Sequence, residues 1–350
     1  MKKRFKRHKS LGQFDEDFRL EKLTKLGDPL VRLNKGVDFE MFREFLEEHL
    51  IKVTKGKGGR PPYDYVLMFK ILILQRYYNL SDDQSEFQIC DRLSFMRFLK
   101  LTLADDVPDS KTIWNFREQL TDLGLVESLF ELFLKELEAL NLVVNEGKII
   151  DASFVEVPKQ RNSREDNKTI KEGSIPASWE GKPNKKSQKD TEARWTKKRN
   201  QSYFGYKNHV KGCQKSKLIT KYLVTDASVH DSQATEDLLD KEKDEGEDFY
   251  ADSAYTGESQ EKIISEKGVI NKVCEKGYKN KPLSDAQKGN NKEKSKIRVR
   301  IEHIFGFMET NMNGMQVKVI GAKRVASVIG LMNLTYNMFR KIQLLEISAG

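Results

Sequence analysis

Between Val37 and Leu140 apolar side chains recur at helical spacing. Phe39, Phe42, Leu46 and Leu50 form one stripe, and Leu67, Ile71, Leu74 and Tyr78 a second. Asn79-Leu80-Ser81-Asp82 reads as a turn with Ser81 capping a helix that opens on Asp82 and Asp83 and carries Phe87 and Ile89. Pro108-Asp109-Ser110 starts another, with Ser110 as cap and Ile113, Phe116 and Leu120 as its buried stripe. Short helices joined by tight turns are compatible with helix-turn-helix geometry, in which one helix enters the major groove. The helix over Lys111–Gln119 would then turn Lys111, Asn115 and Arg117 outward, residue types that meet phosphates and base edges. A plain helical bundle with a solvated polar face fits the same pattern equally well.

From Gly147 the period changes. Lys148–Val155 is a short strand, Tyr203–Gly212 and Leu218–Thr225 suggest a hairpin, and Asp248–Asp252 and Val269–Val273 are further strands. Helices are expected at Ser232–Lys241, Ser259–Glu266, Lys292–Thr310 and Gly321–Leu345. In the third of these, Ile297, Ile301, Ile304, Phe305 and Met308 line one face. Strands interleaved with helices indicate a mixed α/β unit. The expected fold is α+β: a basic, flexible arm over 1–36, a helical, helix-turn-helix-like region over 37–142 that suits DNA binding, and a mixed α/β region over 143–345. A basic polar insertion, about 159–200, interrupts the last of these.

Charge sharpens the picture. The 350 residues carry 62 Lys and Arg against 53 Asp and Glu, a formal +9. Three segments concentrate the excess: Met1–Lys9, Lys159–Asn200 and Lys267–Arg300. A distributed basic footprint favours a polyanion, because neutralising phosphates releases condensed counterions. Ahead of the second helix, Gly58-Gly59-Arg60-Pro61-Pro62 offers Arg60 to a narrow minor groove, although Pro-Pro more commonly just sets up a helix's first turn. Three scattered cysteines argue against a disulfide scaffold or a structural zinc. No apolar run reaches the ~20 residues of a bilayer span, and the basic start leads into no apolar core, so a cytoplasmic chain is expected. No Walker A pattern is present.

Three acids stand out by position. Asp151 follows two isoleucines in the first strand, Asp252 ends a later one, and Glu302 borders the apolar stripe of a long helix, where it can face the sheet. Carboxylates at such places are costly to desolvate unless paired or bound to metal, and oxygen-only donors suit Mg²⁺. With 53 acids in the chain, spacing alone does not single these three out.

Their contexts do. Ile149-Ile150-Asp151-Ala152-Ser153-Phe154-Val155, Tyr250-Ala251-Asp252-Ser253-Ala254-Tyr255 and Arg300-Ile301-Glu302-His303-Ile304-Phe305-Gly306 resemble the three signature blocks of DDE insertion-sequence transposases, in the IS-five branch. Tyr203–His209, Ala227–Ser232, the Gly59–Tyr63 opening and Pro108–Thr112 support the resemblance, which spans about 37–345. It implies an RNase H-like core and two Mg²⁺ ions, with Mn²⁺ able to substitute, held by Asp151, Asp252 and Glu302. It further implies cleavage of double-stranded DNA at terminal inverted repeats, joining of the freed 3′-hydroxyl to target DNA, a homodimer on paired ends and a nucleoid-associated protein. Arg298 matches the arginine that such transposases place four residues before the glutamate, and is the expected phosphate clamp. The accompanying tyrosine and lysine positions hold Ser295 and Glu309 instead. Lys207, His209, His230 and Asp231 are second-tier candidates for DNA contact.

A sequence-specific DNA-binding protein without catalysis, or an inactive transposase copy, is the rival reading. A tyrosine recombinase is not supported, since no histidine is followed by arginine at His-x-x-Arg spacing.

Overall fold

The computed structural model describes residues 12–50, 61–144, 146–198 and 200–349. Its first part is helical: α1 (Asp15–Lys25), α2 (Pro29–Gly36), α3 (Arg43–Leu50), α4 (Tyr65–Tyr77), α5 (Asp82–Asp91), α6 (Leu93–Leu99), α7 (Ser110–Asp122) and α8 (Leu125–Ala139). Local chemistry sets several starts. Asp64 caps α4, and Ser81 and Gln84 close a capping box on α5. On α7 the cap is Asp109, which accepts from Thr112 N, one residue ahead of the expected Ser110. Part of the expected flexible arm is folded: Pro29 and the Asp28 cap start α2, Leu30 and Leu33 are buried, and Asp28 pairs with Arg97 at 2.7 Å. Met1–Lys9 and Arg60 lie outside the described residues.

A mixed sheet follows. β1 (Lys148–Glu156) lies between antiparallel β3 (Gln201–Cys213) and parallel β5 (Asp248–Tyr250). β6 (Ile270–Asn271) continues beyond β5, and β3 also pairs with β2 (Arg194–Lys198) and β4 (Ile219–Asp226). At Gly205, opposite Glu156, φ is +148° and an added Cβ would stand 2.2 Å from the Val155 carbonyl, so only glycine lets β3 pass β1 there.

The basic insertion is less of a loop than its composition suggests. It forms α9 (Arg164–Lys171), a 3-10 turn around a buried Trp179, α10 (Pro183–Ser187) and then β2, an integral strand. Buried Asp190 anchors it, accepting from Tyr206 Oη at 2.8 Å, Ala193 N at 2.9 Å and Gly321 N at 3.0 Å.

Short helices α11 (Thr235–Leu238) and α12 (Lys241–Asp244), then α13 (Glu258–Glu266), cover one face of the sheet. The expected amphipathic helix is divided by a 3-10 turn, Val299–Ile301, into α14 (Asp285–Arg298) and α15 (Glu302–Asn311). The chain closes with α16 (Ala322–Ala349), which packs on α2, α4, α7 and α8 and also on β4. The two expected regions therefore share one hydrophobic core, from Leu30 through Phe133 and Val210 to Ile342. At Gly330 on α16 a Cβ would meet Tyr222 Oη at 2.5 Å and Val126 at 2.7 Å, which shows how closely this helix is pressed between β4 and α8.

Candidate active site

β1 and β5 run in step, with Ile149 opposite Tyr250. Two residues further along each strand direction stand Asp151 and Asp252. The Asp151 carboxylate accepts from Ala152 N at 2.8 Å and from Arg298 Nη1 at 3.2 Å. Asp252 accepts from Ala254 N at 2.7 Å and so caps the 3-10 turn Ser253–Tyr255. Burial, with Asp252 nearby, pushes the Asp151 carboxyl up to about 6 against the opposing pull of the Ala152 amide, Arg298 and Lys198.

Arg298 ends α14 and reaches both ways, to Asp151 and at 3.8 Å to Glu302. Glu302 opens α15 but does not face the sheet: its side chain is 61% exposed. Ile301, Ile304 and Met308 take the buried side of that helix, and at 100° per residue position 302 is turned away from it. Among the described residues no three Asp, Glu, His or Cys side chains converge closely enough to hold an ion as they stand. The donor chemistry of the aspartate pair nonetheless fits a hard divalent cation: oxygen ligands only, one of them partly desolvated, with like charge beside it.

Sequence reasoning missed Tyr255. It is fully buried, its hydroxyl has no partner among the described residues, and burial together with the charges of Asp151, Asp231 and Asp252 holds its phenol well above the usual range. The signal was available in Asp252-Ser253-Ala254-Tyr255, where the tight turn that caps on Asp252 folds the tyrosine back under it.

The expected DNA contacts divide. Lys111 and Asn115 are exposed on α7, and His230 is exposed where it caps the 3-10 turn Asp231–Ala234. Arg117 is not: it is buried, bonding Asp82 through both nitrogens at 2.5 and 2.9 Å and Gln75 at 3.1 Å. Residue 117 stands at i+4 from Ile113 and i−3 from Leu120, on the apolar face rather than the polar one. Lys207 is buried as well, its ammonium taken by Asp231 at 2.8 Å and the Val229 carbonyl at 2.5 Å. His209 is inaccessible. Its Nε2 lies 2.8 Å from Thr225 Oγ1, and burial pulls its imidazole down to about 4. Both residues sit on a strand whose two faces are covered, so neither is open to DNA.

Residues 144–338 match the family model described as Transposase DDE domain. The chain belongs to the DDE transposases. It is thus a DNA transposase of a class that cleaves DNA with divalent metal ions, and DNA is its partner. Residues 18–119 match a second model, Transposase domain (DUF772), which covers most of the helical part. Among solved structures it is similar to a piggyBac transposase synaptic complex with hairpin DNA, at 11% identity and a TM-score of 0.45, over 92% of this chain and 76% of that one. No helix among the described residues of this transposase is long and apolar enough to cross a membrane.

Proposed function

We propose that this transposase, of the IS-five branch and with an RNase H-like core, binds the terminal inverted repeats of its element, cleaves their ends by Mg²⁺-dependent hydrolysis and joins the 3′-hydroxyls to target DNA. The observation that carries the reading is the placing of Asp151, within β1, and Asp252, just past the end of β5, two residues beyond the paired Ile149 and Tyr250 of these adjacent parallel strands, with Arg298 linking Asp151 to Glu302. In this reading Asp151 and Asp252 would hold two Mg²⁺ ions, for which Mn²⁺ would substitute, with Glu302 completing the ligand set.

Bound Mg²⁺ supplies the positive charge that polarises the scissile phosphodiester. The protein's own groups do the rest. Asp151, with its carboxyl raised by burial, gains most from a cation that relieves its repulsion with Asp252. Arg298 is close enough to that carboxylate to clamp a non-bridging phosphate oxygen once Asp151 is otherwise engaged. The buried Tyr255 hydroxyl, within the field of Asp151 and Asp252, is available to donate to one of them once a cation draws the aspartates together. Lys111, Asn115 and His230 remain as surface contacts to DNA, with a homodimer holding two ends. The helical region carries DNA recognition and the sheet carries the chemistry.

The test uses labelled DNA fragments from beside the gene, incubated with the protein and Mg²⁺, with EDTA, or with Asp151→Ala. Breaks at the tips of paired inverted repeats that vanish with EDTA and in the variant are expected. Tight binding with no cleavage under any divalent metal would overturn the catalytic reading in favour of a DNA-binding protein.

A further inference from the structure

A second cluster of charge lies far along the chain from the aspartates, where α4, α5 and α7 meet the segment leading into α16. A cavity of about 370 Å³ opens there. Its lining brings Arg76, Arg117, Lys318 and Arg324 against only Asp82 and Glu118. The pairing within it is uneven. Arg117 takes both oxygens of Asp82, and Arg324 is engaged by Glu118 at 2.6 Å. Arg76 is left over. Only 9% exposed, among the described residues it has a single long bond, from Nη2 to the Leu80 carbonyl at 3.4 Å, and its Nε has no partner there.

Keeping a guanidinium out of water is expensive, and burial with Arg117 alongside pulls even this group down to about 10, against the opposing pull of the Asp82 charge. Asp82 has both oxygens bonded to Arg117, so it acts on Arg76 through space and not through a hydrogen bond. Exposed Lys318 adds further positive charge at the rim. Trp114, 44% exposed on α7, supplies an aromatic face beside it. An excess of two cations over carboxylates, a planar fork with free donors and an adjoining indole together describe a receptor for a compact anion carrying a flat or sugar-like neighbour.

We propose that this cavity is a phosphate site in which Arg76 meets the anion, and that in the DNA complex it receives one backbone phosphate of the bound strand. The proposal rests on the DNA-binding reading above and assigns it a place the catalytic aspartates do not use. Arg117 acts here as a positioning residue: by occupying Asp82 it keeps Arg76 available.

Two measurements on the full chain test this, comparing wild type with Arg76→Met and Arg76→Lys. In the first, anisotropy of labelled duplex DNA is followed from low to high salt. One lost phosphate contact should lower the slope of log K against log salt by about 0.9 and weaken binding roughly tenfold near 0.1 M salt in Arg76→Met. Arg76→Lys keeps the charge and should keep most of the slope. In the second, inorganic phosphate should raise the melting temperature of wild type above that in sodium chloride of equal ionic strength, and should not do so for Arg76→Met. If Arg76→Met fails to fold, Lys318→Gln at the exposed rim provides the salt-slope test, with a smaller expected decrease. A phosphate response with an unchanged DNA slope overturns the backbone assignment and leaves free phosphate as the ligand. No phosphate response and no change of slope overturn the site. If wild type itself fails to bind DNA, the functional reading fails, while the phosphate arm still decides the site.

Discussion

Two arginine–aspartate pairs in this protein use the same chemistry to opposite ends. Arg117 and Asp82 meet fork to fork at 2.5 and 2.9 Å, with Gln75 bonded to both, and burial's upward push on Asp82 is outweighed by those bonds, so its carboxyl is held below its usual range. Arg298 and Asp151 touch through one nitrogen at 3.2 Å, and Glu302 waits at 3.8 Å on the same guanidinium. There burial is not outweighed, and the Asp151 carboxyl rises. A closed pair spends its charge on holding helices together. An open pair keeps charge available for something that is not yet there. Geometry, rather than residue type, separates structure from function in these two places.

The largest effect should come from the open site. Asp252→Asn is expected to lower Mg²⁺-dependent cleavage by about 10³-fold, the several kcal/mol that a metal-held phosphodiester gains in its transition state, while gel-shift affinity for the same DNA stays within about twofold. Undiminished cleavage would remove Asp252 from the site. Breaking the closed pair should show up in stability instead. Arg117→Met takes the fork-to-fork partner from half-buried Asp82, leaving it the Gln75 bond and the Arg76 charge, and should cost about 2 kcal/mol in urea unfolding, and a loss below about 0.5 kcal/mol would mean that the pair is no more than a surface bridge.

Arg298→Met sharpens the contrast. It should leave urea stability within about 1 kcal/mol yet slow cleavage roughly 10- to 100-fold, and the reverse pattern would make it another closed pair. The smallest effect concerns pH. His209 has a folded value of about 4, below the ordinary 6.5, so the unfolded chain binds the extra proton. Its contribution to stability is full above pH 6.5 and is lost as pH falls toward 4, about 2 kcal/mol by pH 5. Urea melts at pH 7 and pH 5 should differ by that much more in wild type than in His209→Gln.

Much of this was legible in the sequence. The helix α4, the stripe of α7 and the β3–β4 hairpin follow from period and punctuation, whereas the two aspartates stand out only through the resemblance of their surrounding blocks. What escaped did so for reasons of tertiary context. Lys207 and His209 are of residue types that suit DNA contact, but α11, α12 and Tyr255 lie across that face of β3, where the neighbouring Lys211 finds Asp244 at 2.6 Å. Arg117 was assigned to solvent because arginine usually is, although its own spacing from Ile113 placed it inside. Its partner Asp82, 35 residues earlier, is a long-range fact that no local pattern carries. The same is true of the insertion, whose lysine-rich composition hid a strand whose pairing is with β3.

The last helix also bears on the order in which this protein is made. Because α16 is wedged between the early helices and β4, neither half can finish its interior until residues 322–349 have left the ribosome. A chain that loses this segment loses the internal wall of both halves at once.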